Sequence, residues 1–173
     1  MPCLRLTCLV AVFLPMTACV TLIEDLSVGP VAVRTAPAVG QLPERQVISI
    51  SLRTRTDLSR VPKDDLIHFK TYFCDSPKDF VLLGGAVAPL WNTVAKPDSS
   101  GIYTYVFLLE VRRRGSPNSR PPEVGFDFST APRTVCIKLQ GGYIGMYASS
   151  NTVQVRAESI REALARPDGK PGG

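Results

Sequence analysis

The segment Ile102 to Val111 restricts the fold of this chain more than any other, because large apolar and aromatic residues occupy both of its period-two faces. Tyr103, Tyr105, Phe107, Leu109 and Val111 alternate with Ile102, Thr104, Val106, Leu108 and Glu110. Side chains of a strand point alternately to opposite faces, so such a run needs cover on both sides and belongs near the centre of a sheet. Aromatic and β-branched side chains suit that pleated, buried surface.

The same alternation recurs along the chain. In Val47 to Thr54, Ile48, Ile50 and Leu52 share one face while Ser49, Ser51 and Arg53 share the other. Leu66 to Cys74 sets Ile67, Phe69, Thr71 and Phe73 against His68, Lys70, Tyr72 and Cys74. Phe80 to Leu83 and Ala86 to Val87 read as one strand with a bulge at Gly84-Gly85. Shorter strands are expected around Val124 to Phe128, at Thr134 to Leu139, up to Tyr147, and at Thr152 to Arg156. In Thr134 to Leu139, Val135, Ile137 and Leu139 point inward and leave Cys136 opposite. Ser159-Ile160-Arg161-Glu162 then has the form of a helix capping box, with Ile160 and Leu164 spaced to dock one short helix. Short strands separated by Gly and Pro turns, with one helix, predict an all-β fold: a two-layer antiparallel β-sandwich with a short C-terminal helix. An immunoglobulin-type variant would use Cys74, Trp91 and Cys136 as its bridged core, but Trp91 lies in the loop-like Pro89-Leu90-Trp91-Asn92 and Thr134 stands where that fold commonly has its corner tyrosine.

Met1 to Cys19 has the build of an export leader, with Arg5 as its positive start and Leu6 to Met16 as an apolar core too short to span a bilayer. Its end, Met16-Thr17-Ala18-Cys19, resembles the processing box of bacterial lipoprotein signal peptides, which reads roughly Leu, Ala or Ser, Gly or Ala, then Cys. Ala18 and Cys19 match that box, and Met16 and Thr17 depart from it. The resemblance covers the leader alone. It implies cleavage before Cys19, a diacylglyceryl group on the Cys19 thiol and acylation of the new amino group, so that the protein is held on the membrane by its N-terminal lipid. Val20 follows the cysteine, where an Asp would favour inner-membrane retention in that family, so the implied location is the outer membrane, facing the periplasm. An ordinary secretory peptide and a short membrane anchor are the alternatives. The expected organisation is a signal peptide over 1–18, a lipidated N-terminus and tether over 19–45, a sandwich over 46–166 and a flexible tail over 167–173. The tether is expected because Gly29, Pro30, Pro37 and Gly40 leave room for only a short strand through Val31 and Val33.

With Cys3 and Cys8 in the leader and Cys19 consumed by lipid, the folded body retains Cys74 and Cys136. An oxidising compartment makes them one possible disulfide; two buried free thiols are the alternative.

The net charge of +5 is too mild to indicate nucleic acid, which an exported protein would rarely meet. Anionic lipid, lipopolysaccharide phosphates or an acidic protein are better matched partners. Motifs for chemistry are scarce. His68 is the single histidine and sits within an alternating strand without a local metal-ligand pattern. No Gly-x-Ser-x-Gly elbow occurs, and Gly84-Gly85 and Gly141-Gly142 lack the lysine of a phosphate loop. No catalytic residue, cofactor or metal is therefore expected. Partner-binding residues are expected in Arg112-Arg113-Arg114, whose guanidinium groups suit carboxylates, in Trp91, and in the loop bearing Tyr143 and Tyr147. The bland readings are a solvated strand end and aromatic core filling. The expected function is an envelope lipoprotein that binds a periplasmic or envelope protein, as an inhibitor or immunity protein. One alternative is a structural subunit of an envelope or secretion assembly. Another is an enzyme acting on lipid or cell wall, which would need His68 to meet Asp75, Asp79 or Asp127 in one pocket.

Overall fold

Phe107 sits at the centre of two facing sheets, fully buried, with the Phe69 ring edge-on to it at 5.9 Å across the gap between them. The structure is a computed structural model and describes residues 19–36, 45–60, 68–76, 85–88, 96–115, 125–143 and 146–166. Among the described residues eleven strands are formed, followed by one α-helix: β1 Cys19–Ile23, β2 Ser27–Ala36, β3 Arg45–Thr54, β4 His68–Phe73, β5 Gly85–Ala88, β6 Tyr103–Glu110, β7 Arg112–Arg113, β8 Phe126–Asp127, β9 Val135–Tyr143, β10 Met146–Ser150, β11 Val153–Val155 and α1 Ala157–Leu164.

One sheet has the order β2-β3-β6-β5. In the other, β9 is central: β4 lines one edge, while β10 and β11 follow one another along the opposite edge, and β1 lies outside β10. The core lies between them. Ile48, Ile50 and Leu52 of β3 and Tyr105, Phe107 and Leu109 of β6 meet Val135, Ile137 and Leu139 of β9, with Phe73 and Ile23 completing the layer. The all-β fold with a C-terminal helix is thus the one the alternation predicts, and β6 is flanked on both sides, by β3 and β5. Its outward Val106 and Leu108 are half-buried, as a strand apolar on both faces requires.

Every strand pair is antiparallel except β1 with β10, which is parallel, so the expectation of a wholly antiparallel sandwich is corrected there. The cause lies in the segment read as a tether. Only residues 24–26 separate β1 from β2, and β2 packs against β11 and α1, which follow β10 along the chain. β1 and β2 therefore form one run that leaves one sheet and joins the other without reversing. Asn151 holds the crossover: its side chain accepts from the Leu26 N–H and donates to the Leu26 carbonyl, while its own N–H donates to the Ile23 carbonyl. Ile23, Leu26 and Val33 are buried, so residues 19–36 belong to the sandwich rather than to a spacer. Gly29-Pro30 does not end the strand, because β2 is an edge strand and the register shifts between Val28 and Val31. A bulge on an edge accommodates a residue with no N–H.

α1 begins at Ala157, two residues ahead of Ser159, so the predicted capping box is not used. The Ala157 N–H donates instead to Thr134 Oγ1 at 3.3 Å, from the residue preceding β9. Ile160 and Ala163 are buried and Leu164 packs against the core, which is the docking that the spacing predicts. β5 takes in Ala86 and Val87, whereas Phe80 to Leu83 lie outside the described residues.

A disulfide joins Cys74 to Cys136, with Cα atoms 5.2 Å apart. Cys136 pairs in register with Tyr72, and the Cys74 N–H donates to the Thr134 carbonyl, so the bridge links adjacent strands on the outer face of one sheet. An immunoglobulin domain staples its two sheets through the core; this bridge does not.

Candidate functional site

Beyond Glu110 the chain leaves the sheet and folds back as a two-stranded ribbon, in which Arg112 pairs with Asp127 and Arg113 with Phe126. Backbone bonds from the Val111 N–H to Gln46 and from the Phe128 N–H to Val111 fix the ribbon to the end of β6. At its tip the strands approach closely: a Cβ on Gly125 would lie 2.7 Å from the Gly115 nitrogen, so only glycine fits there without a shift. Underneath, Phe126 and Phe128 pack on each other and on Phe73 at the end of β4, with ring centroids 5.0 to 6.2 Å apart.

This bed carries the charges. Arg112 Nε donates to Asp127 Oδ2 at 2.6 Å while 69% of its side chain stays exposed. Asp127 is itself anchored by the N–H and hydroxyl of Ser129. Arg114 is exposed and Arg113 half-buried, since neighbouring residues of an extended chain face opposite ways. The three arginines are therefore not one cluster. Another arginine lies just ahead of β9: the Arg133 guanidinium lies 3.8 Å over the Phe73 ring, pairs with Asp75 and donates to Ser76 Oγ. Arg133 was missed from sequence because nothing local marks it; the β4–β9 pairing brings it to the turn after Cys74.

Tyr143 and Tyr147, also expected to bind a partner, are not near these arginines. Phe73 is the register partner of Val135, the first residue of β9, whereas Tyr143 is its last, about 27 Å away along the strand. Tyr143 pairs with Met146, and Met146 and Tyr147 pair with Cys19 and Val20. Tyr143 and Tyr147 thus lie at the Cys19 end of the sandwich and the arginines at the other. Trp91 lies outside the described residues.

No family model, curated protein or solved structure matches this chain.

His68 is exposed at the start of β4, opposite Gln140, and far along the strand from Asp75, which pairs with Arg133, and from Asp127, which pairs with Arg112. Asp79, the third acid considered with it, lies outside the described residues. Among the described residues no group of three His, Cys, Asp or Glu side chains could hold a metal ion. A shallow cleft of about 250 Å³ opens near the β1–β2 crossover, lined by Asp25, Ser27, Arg53, Thr54, Arg55 and Ile102. Its carboxylate is already engaged, by the Thr54 hydroxyl on one oxygen and the Arg55 N–H on the other, both at 2.6 Å. That is a structural clamp on the crossover, not an acid or base poised for chemistry.

Four aspartates ionise more readily than usual. The Ser129 hydroxyl and N–H, with Arg112, hold Asp127 below its ordinary value. Arg133 does the same for Asp75, and the Ile102 and Ser100 N–H groups do so for Asp98. At Asp25 desolvation opposes ionisation, but Thr54, the Arg55 N–H and the Arg55 charge outweigh it. Because all four are depressed in the folded chain, the stability they add is complete above the ordinary carboxylate value of 3.8 and is lost as pH falls through the lower folded values. Melting temperature is expected to fall below about pH 4, modestly because these carboxylates are exposed. In Asp25→Asn and Asp127→Asn the drop should be shallower, as followed by circular dichroism; an unchanged acid limb would remove these groups from the account.

Proposed function

We propose that this chain is a lipid-anchored envelope protein, held through Cys19 at the periplasmic face of the outer membrane, whose basic ribbon end binds an acidic surface of a protein partner. The role that fits best is that of an inhibitor or immunity protein. The observation that carries this proposal is the placement of its two ends: Cys19 opens β1, while the ribbon that bears Arg112 and Arg114 lies at the other end of the sandwich over packed phenylalanines, one of which, Phe73, also carries Arg133. A rigid bed holds guanidinium groups ready for carboxylates at little cost in side-chain entropy. Asp127 and Asp75 orient two of them.

Two results test it. Mass spectrometry of the membrane fraction should find an acylated peptide beginning at Cys19, and Cys19→Ser should abolish both processing and lipid attachment; an unacylated protein cut elsewhere refutes the anchor. Replacing Arg112, Arg113 and Arg114 together with serine should weaken capture of the partner from envelope extract and flatten the salt dependence of binding, with the strand signal in circular dichroism retained. Unchanged affinity in the folded triple variant refutes the ribbon. If the captured protein is a secreted hydrolase or toxin, the inhibitor role stands; if it belongs to an envelope or secretion assembly, the chain is a structural subunit of it.

A further inference from the structure

The outer face of the β1/β10/β9/β4 sheet is marked in two respects that point the same way. Its five strands, CVTLI, HFKTYF, VCIKLQGGY, MYASS and VQV, contain no Asp or Glu. Their charged side chains are Lys70 and Lys138, which are direct register partners. The residues beside them in sequence, Thr71, Ile137 and Leu139, are buried in the core, so both lysines belong to the outer face. Placed directly opposite each other, the two ammonium groups add positive potential to this face.

The second respect is apolar. Leu22 is 62% exposed and Tyr147 39% exposed, and these are the exposed large hydrophobic side chains among the described residues. Ile23 and Ala148 are buried, so Leu22 and Tyr147 point outward on the same face as the lysines. Val20 is the register partner of Tyr147, which makes Leu22 and Tyr147 diagonal neighbours. Leu22 is three residues from Cys19, about 10 Å of extended chain. No spacer intervenes, because β1 begins at Cys19 itself.

We infer that this outer face lies on the bilayer, with Leu22 and Tyr147 in the interfacial layer and Lys70 and Lys138 over the phosphates of anionic phospholipids. The inference rests on the lipid anchor at Cys19: acyl chains at that residue leave no length of chain to lift the sheet clear of the headgroups. A tyrosine suits the boundary between headgroups and acyl chains, and lysines close to an anionic surface each add to attachment. The opposite sheet, from whose β6 the basic ribbon continues, then faces away from the membrane.

The test uses the membrane-extracted full protein reconstituted into vesicles of phosphatidylcholine, with or without about one third phosphatidylglycerol. A membrane-impermeant amine reagent labels exposed lysines, and mass spectrometry compares Lys70 and Lys138 with the exposed Lys96, which lies outside this sheet. On the anionic vesicles Lys70 and Lys138 should label at least about fivefold more slowly relative to Lys96 than on neutral ones, the factor corresponding to one lysine's attraction to an anionic surface. High salt should restore their labelling. So should the double variant Leu22→Glu and Tyr147→Glu, whose exposed positions leave the core intact. Equal labelling on both vesicle types overturns the inference, as does protection that depends on protein concentration and not on lipid, which would assign the face to a second copy of the chain. The mass of the Cys19 peptide from the same sample reports the anchor separately. An unacylated Cys19 with protected lysines refutes the anchor alone, and an acylated Cys19 with freely labelled lysines refutes the docking alone.

Discussion

Phe107→Ala is expected to cost the fold about 3–5 kcal/mol, the range for removing a fully buried phenylalanine without collapse of the space it leaves. Phe107 has no exposed surface, and its register partners are Ile50 on β3 and Val87 on β5. Across the interior it meets the Phe69 ring edge-on. The groups around it are held by two hydrogen-bonded sheets, so the cavity cannot close by a simple side-chain shift. A domain of this size is stable by only about 5–15 kcal/mol, and the loss is a large share of it. Urea titration should show the midpoint falling with little change in slope. Leu108→Ala, on the half-buried face of the same strand, serves as the control and should cost much less. Equal losses at the two positions would mean that β6 does not distinguish its faces as described.

Removing the bridge with Cys74→Ala and Cys136→Ala should cost about 4 kcal/mol, the chain-entropy value for closing the 62-residue separation between them. The loop contains β5, β6 and the ribbon, so in the unfolded chain the bridge restricts much of the sequence that builds one sheet and the candidate binding end. A local effect should accompany it. Cys74 begins the turn that carries Asp75 and Ser76, and both hold Arg133 over Phe73. Loss of the bridge should therefore loosen the arginine end before the β1/β10 end, as hydrogen exchange would show. Thiol labelling of the unreduced protein in denaturant provides the direct check: quantitative reaction of both sulfurs would refute the bridge.

How much of the fold was legible depended on the range of the interaction. The inward row Ile48, Ile50 and Leu52 follows from period two alone, because a strand that buries one face must place its apolar residues at every second position, whereas the choice of Tyr105, Phe107 and Leu109 over the other apolar face of β6 came only with the packing. The helix was legible for the same reason, through Ile160 and Leu164. Its start was not. The cap comes from Thr134, 23 residues earlier, and a local Ser-x-x-Glu pattern cannot compete once that hydroxyl and the packing of Ile160 fix the first turn. The tether reading failed at residues 19–36 because Gly and Pro report only local backbone freedom. That Gly29-Pro30 would sit as a bulge on an edge strand depends on β3 lying beside it.

The candidate site divides along the same line. The exposure of Arg112 and Arg114 after a stiff strand was readable in order along the chain. Separation of these arginines from Tyr143 and Tyr147 was not, since it depends on which end of β9 meets Phe73. By itself, the sequence determined that strands would form here, which face is buried where only one face is apolar, and that Cys74 and Cys136 were one possible pair. Only the tertiary structure decided that β1 runs parallel to β10, that the bridge lies within one sheet, and that Arg133 joins the ribbon on a bed of three phenylalanines. The physical reason is that facing is set by a residue's immediate neighbours, whereas pairing is chosen by comparing whole-sheet arrangements whose burial energies are collective and leave no mark on any single short segment.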